Sequence, residues 1–171
     1  GQLAVTLVAP REEIVVRTLR LPGVAAKDID AAVDLQLETL HPWGENPVVR
    51  AWWRAGVDEV VVGVMRAESL AAWETVFSEA GVPLAAVTFS AAAIYSALRL
   101  GPAAPASSFC FFEDAPGRTE IYGESESRPV YSAAFAAPRE RAIALARAEM
   151  RLERDVPAAS LLSLLPVAGD S

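Results

Sequence analysis

The period of the hydrophobic pattern switches back and forth along this chain, and that alternation points to a mixed α/β fold. Ile14, Val16 and Thr18 alternate with Val15, Arg17 and Leu19 in a run to Leu21, the period of a strand. Pro22-Gly23 ends the run, and Ile29, Ala32, Val33, Gln36, Leu37 and Leu40 then recur at helical spacing. Asp28 and Asp30 fall in the first turn of that helix, where carboxylates suit the positive end of the dipole. His41-Pro42-Trp43-Gly44 stops it, because proline disfavours helix in the residue before it.

The pattern then repeats. Val48 to Ala55 and Glu59 to Met65 read as strands around Gly56-Val57-Asp58, an antiparallel hairpin. Ala67 to Ala80 reads as a helix with Leu70, Trp73, Val76 and Phe77 on one side and Gly81 at its C′ position. Ala85 to Phe89 reads as a short strand, and Ser90 as the cap of a helix from Ala91 to Leu100. A first strand is expected at Leu3 to Val8. The clearest break in composition is Gly101-Pro102-Ala103-Ala104-Pro105-Ala106-Ser107, which predicts an α/β subdomain over 1–100, a linker over 101–107 and a second subdomain over 108–171. In the latter, Ser108 to Glu113, Thr119 to Glu124 and Pro129 to Phe135 predict an antiparallel meander. A helix from Pro138 to about Asp155 follows, then a further strand at Leu161 to Leu165.

Composition narrows the function classes. The net charge of -7 argues against a nucleic-acid partner, which needs clustered Lys and Arg. The densest basic set, Arg139, Arg141, Arg147, Arg151 and Arg154, is interleaved with Glu140, Glu149 and Glu153 and reads as a solvated helix face. Cys110 is the single cysteine and lies in Phe109-Cys110-Phe111-Phe112, so it forms no intrachain disulfide and reads as a small core residue, consistent with a reducing compartment. No apolar stretch reaches the roughly 20 residues a bilayer requires, so direct membrane insertion by this segment is not expected.

Catalytic chemistry finds little to work with. His41 is the one histidine, and it belongs to a helix stop rather than to a triad. One His and one Cys far apart give no metal-ligand spacing. There is no Walker pattern and no Gly-x-Gly-x-x-Gly. Glu113 and Asp114, at the end of an apolar strand, are the carboxylates best placed for a site. The four tryptophans are Trp43, Trp52, Trp53 and Trp73. Neighbouring residues on a strand point to opposite faces, so one of Trp52 and Trp53 faces a core while the other needs a second layer or a partner. Trp43, Trp52 and Trp53 are therefore the candidate partner-binding residues.

Taken in order, these segments resemble a known family. The strand Ile14 to Pro22 precedes an acidic amphipathic helix ending Leu40-His41-Pro42-Trp43. Paired strands follow with Val60-Val61-Val62-Gly63-Val64-Met65, then a helix ending Ala80-Gly81-Val82-Pro83. The strand and helix from Ala86 to Leu98 complete the series. The order is similar to that of PilM-like type IV pilus assembly proteins, and more distantly to the cytoplasmic part of the type II secretion protein GspL and to the division protein FtsA. The resemblance implies an actin-like, ribonuclease-H-like α/β fold with mixed sheets and flanking helices, of which this chain is a partial representative. In those families residues 3 to 83 correspond largely to the small inserted subdomain, and the segment from Ser108 onward to the start of the second ribonuclease-H-like subdomain.

The same comparison bears on nucleotide binding. The second phosphate loop of actin-like ATPases typically reads Asp-x-Gly-x-x-x-Thr, and the corresponding stretch here is Glu113-Asp114-Ala115-Pro116-Gly117-Arg118-Thr119. Ala115 in place of glycine removes the close backbone approach that phosphate cradling requires. The expectation is a non-catalytic scaffold or adaptor without a cofactor, cytoplasmic, held at an inner membrane through partners or a longer parent chain. Its partners are the tail of a membrane protein or an assembly ATPase. The alternative is a nucleotide-binding actin-like or sugar-kinase-like ATPase fragment that uses Glu113, Asp114 and Thr119.

Overall fold

The computed structural model describes residues 4–100, 109–115, 118–123, 131–150 and 161–163. They fall into two compact units, Gly1–Ser90 and Ala91–Ser171. The stretch 101–107, read from sequence as the linker, lies outside the described residues, as does the part of the last predicted helix beyond Met150.

The first unit runs β1 (Val5–Ala9), β2 (Ile14–Arg20), α1 (Ile29–Leu40), β3 (Val48–Arg54), β4 (Glu59–Arg66), α2 (Ala67–Glu79) and β5 (Leu84–Phe89). Its larger sheet has the order β2-β4-β3 and is antiparallel throughout. The central strand is the apolar run Val60 to Met65, where Val61 and Val62, on opposite faces, are both fully buried. That is why this strand shows no polar alternation. β1 and β5 pair in parallel as a separate two-stranded sheet.

Helix α1 covers one face of the larger sheet. Ile29, Val33 and Leu40 form a buried cluster with Leu21, Val60, Val62 and Val64, and Leu19, Leu37, Trp43, Val48 and Trp52 pack around it. The helical stripe read from sequence is the stripe that is buried. α2 differs from expectation. None of its residues is fully buried, and Val76, placed on its core-facing side by spacing, is 55% exposed. Its C-terminus closes as a Schellman turn. The Val82 N–H donates to the Phe77 carbonyl at 2.9 Å and the Gly81 N–H to the Ser78 carbonyl at 3.0 Å. Gly81 has φ +68°, the left-handed conformation that favours glycine.

The second unit contains most of α3 (Ser90–Leu100), then β6 (Phe109–Ala115), β7 (Arg118–Gly123), β8 (Tyr131–Phe135), α4 (Arg139–Met150) and β9 (Leu161–Ser163). The expected meander forms, in the order β8-β7-β6, and β9 adds to β6 in parallel. Ile121, Tyr131 and Ala146 make a core cluster joined by Ala133, Phe135 and Ile143, so α4 packs on the meander through its apolar side. Tyr95 meets Tyr122 edge to face with ring centroids 5.2 Å apart. Arg141 is exposed as a solvated face requires, whereas Arg147 is half-buried.

Candidate partner-docking site

Three tryptophans proposed from sequence lie on or beside the β2-β4-β3 sheet, and the structure separates them. Trp52 pairs with Val62 and Trp53 with Val61, so the two indoles stand on opposite faces. Trp52 packs against the α1 cluster and donates its Nε1–H to Asp30 Oδ1 at 2.7 Å. Trp43 also packs on that cluster, and its ring stacks on His41 with centroids 5.4 Å apart. His41 is further fixed because its Nδ1 accepts the Trp43 backbone N–H at 3.3 Å. Trp53 is 44% exposed on the other face, beside exposed Ala51 two residues back on the same face. Of the three, Trp53 is the most exposed.

A feature that the sequence reading missed lies beside it. Arg50 reaches from β3 to α1 and holds two carboxylates one helical turn apart. Its Nη1 donates to Asp30 Oδ1 at 2.8 Å, its Nε to Asp34 Oδ1 at 2.9 Å, and Nη2 stands 2.8 Å from the same Asp34 oxygen. The sequence signal was the Asp30/Asp34 pair at i, i+4 on a helix. Its cation comes from a strand 16 and 20 residues away, which periodicity does not reveal. The clamp and the Trp52 bond fix the angle at which α1 crosses β3. They also continue an acidic stripe, because Glu38 follows Asp34 at the same helical spacing and is exposed.

The Arg50 bond first, and the Trp52 bond second, hold the Asp30 carboxyl below the usual aspartate range, while Asp30 raises the Arg50 guanidinium. A depressed carboxyl contributes stability above its unfolded pKa and loses that contribution as pH falls through the folded value. The Asp30–Arg50 bond is therefore favoured at neutral pH and weakens as Asp30 takes up a proton in acid. In Arg50→Gln, the Asp30 titration followed by carbon NMR should move up toward the ordinary aspartate value of 3.8. An unchanged midpoint would mean that Arg50 does not hold this carboxylate in solution.

The alternative nucleotide-site residues lie in the second unit. Glu113 pairs directly with Thr119 across the β6–β7 ladder, whose register is irregular between Glu113 and Ala115, at Asp114. The Thr119 side chain is buried and its Oγ1 has no hydrogen-bond partner among the described residues. Pro116 and Gly117 lie outside the described residues. Among the described residues, no three His, Cys, Asp or Glu side chains converge as a metal site would require. An open groove of about 410 Å³ lies between Asn46-Pro47 and the start of α2. Its one cation, Arg66, is bound at 2.8 Å to its one carboxylate, Glu68, and no histidine, cysteine or hydroxyl side chain lines it. No described helix is long and apolar enough to cross a membrane.

Comparison with known proteins places this arrangement. No family description and no curated protein matches the sequence. Among solved structures, the chain is similar to the cytoplasmic domain of EpsL, an inner membrane component of the type II secretion system of Vibrio cholerae. The TM-score is 0.61 at 11% identity, over 96% of this chain and 63% of that one. It is also similar to the PilM–PilN type IV pilus biogenesis complex, with a TM-score of 0.56 at 14% identity, over 86% of this chain and 47% of that one. The chain thus has the PilM- and GspL-like α/β fold of the actin-like class that its order of segments resembles. It spans less than two thirds of the length of either structure.

Proposed function

We propose that this chain is a non-catalytic, cytoplasmic docking scaffold of an inner-membrane platform that assembles a type IV pilus or a type II secretion system. The observation that carries this reading is the likeness of nearly the whole chain, 96% of it, to the cytoplasmic domain of an inner-membrane secretion component. The second likeness, to a complex of PilM with PilN, supports recognition of another platform protein as the work of the fold. Trp53 supports the same reading, since a 44% exposed indole on a sheet is a costly surface to leave in water and a common centre of protein interfaces. The stretch from Glu113 to Thr119 supports the absence of nucleotide chemistry, since alanine stands at the position where a phosphate loop needs glycine.

The partner is the cytoplasmic tail of a platform membrane protein or the assembly ATPase. Calorimetric titration of the full-length protein against each of these, and against Mg·ATP, tests the reading. Micromolar binding of one platform protein and no heat with Mg·ATP are expected. Micromolar Mg·ATP binding, or failure of every platform protein to bind, would overturn it.

A further inference from the structure

The free edge of β3 has a hydrogen-bonding pattern that specifies what can cover it. The Ala55 N–H donates to the Glu59 carbonyl at 2.9 Å and the Ala67 N–H to the Pro47 carbonyl at 2.9 Å. In an antiparallel ladder the bonded pairs recur every second residue, so Val49, Ala51 and Trp53 spend their backbone groups on Met65, Gly63 and Val61. The N–H and C=O groups of Val48, Arg50, Trp52 and Arg54 therefore point away from the sheet. No bond to any of them occurs among the described residues, and the β3 register is unbroken by a bulge.

The opposite edge of the same sheet is defended. On β2 the outward groups belong to Ile14, Val16, Thr18 and Arg20, because the Leu21 N–H bonds to the Asp58 carbonyl at 2.7 Å. There Arg11 donates to the Ile14 carbonyl, and Arg17 donates to the Val16 carbonyl at 3.2 Å. Natural sheets protect exposed edges with charges, prolines and bulges. Within β3 one of the two charges, Arg50, is instead drawn sideways onto Asp30 and Asp34, which leaves exposed Arg54 at the last position of the strand.

The two sides of the β3 edge differ in chemistry. On the α1 side stand the carboxylates of Asp30 and Asp34, which outnumber the Arg50 guanidinium between them, and the stripe continues to exposed Glu38, while exposed Arg54 stands on the same side at the end of the strand. The bonds run Trp52 to Asp30 and Arg50 to Asp30 and Asp34, so α1 is antiparallel to β3 and Glu38 lies toward the Val48 end. On the other side stand Trp53 and Ala51, apolar and exposed.

We infer that the β3 edge receives an extended segment of a partner protein as an added strand, with basic residues alternating toward α1 and apolar residues toward Trp53. The inference rests on the docking reading above and gives it a place and a recognition chemistry.

The test uses the full-length protein and a short acetylated peptide of alternating valine and lysine, with amide exchange followed by NMR. Binding should slow exchange at Arg50, Trp52 and Arg54 by about tenfold or more, while Ala51 and Trp53, already bonded, change little. A peptide N-methylated on its β3-facing amides should lose the effect, and Glu38→Lys should weaken binding severalfold. No alternating protection, or protection at Thr18 and Arg20 instead, overturns the inference. So does protection that grows with protein concentration without peptide, which would assign the edge to a second copy of the chain. The two readings fail separately. A natural platform protein that binds while these amides are unchanged sinks the strand-addition inference alone. Peptide protection without binding of any platform protein sinks the platform reading alone.

Discussion

Val33→Asp is expected to unfold the first unit at neutral pH or bring it close to unfolding. Val33 is completely buried at the centre of the cluster formed by α1 and the sheet, among Leu21, Ile29, Leu40, Val60, Val62 and Val64. Each of these named neighbours is an apolar side chain, so a carboxylate there would find no donor among them. A buried charge in that setting either costs several kcal/mol or takes up a proton. A unit of this size has about 5–13 kcal/mol of total stability, so a loss of about 5 kcal/mol removes much of it. Val33→Ala, which deletes two methyl groups and leaves a small cavity, should cost only about 2 kcal/mol. The pH dependence carries a sign. Burial raises the folded pKa of the new carboxyl, so the penalty is small below the unfolded pKa and grows as pH rises through the folded one. Urea titration at pH 4 and pH 7 would read this by tryptophan fluorescence, since all four tryptophans lie in the first unit. A midpoint equal to wild type at pH 7 would mean that α1 does not pack on the sheet through Val33.

Local physics made much of this unit legible. The α1 stripe, the β3–β4 hairpin and the turn at Gly81 each depend on residues a few positions apart, where spacing and turn chemistry decide the outcome. The parallel pairing of β1 with β5 depends on strands separated by most of the unit, and no alternation pattern states a partner. The exposure of Val76 was hidden for a related reason. Periodicity shows that a helix has an apolar side but not whether anything lies against all of it. The Arg50 clamp needed both failures overcome, because its three members become neighbours only after α1 has crossed β3.

The docking site was half legible, and the half that was not leads to the second large effect. Alternation alone required Trp52 and Trp53 to face opposite ways, but both faces of a central sheet can be covered, so the sequence could not choose the outward one. The structure chooses Trp53, and the pair should therefore respond oppositely to truncation. Trp52→Ala removes an indole packed on the α1 cluster and one of the donors to Asp30, and should cost about 3 kcal/mol of stability. Trp53→Ala removes an exposed ring and should change stability by less than about 1 kcal/mol. In binding the order reverses. An aromatic anchor at an interface centre is worth about 2 kcal/mol or more, so Trp53→Ala should weaken the platform partner by about 30-fold. Denaturation and calorimetric titration of the two variants, side by side, give both readouts. If Trp53→Ala binds the partner as wild type does, the docking surface lies elsewhere on the chain. If instead it unfolds the unit, Trp53 is a packing residue after all and the face beyond it is already covered.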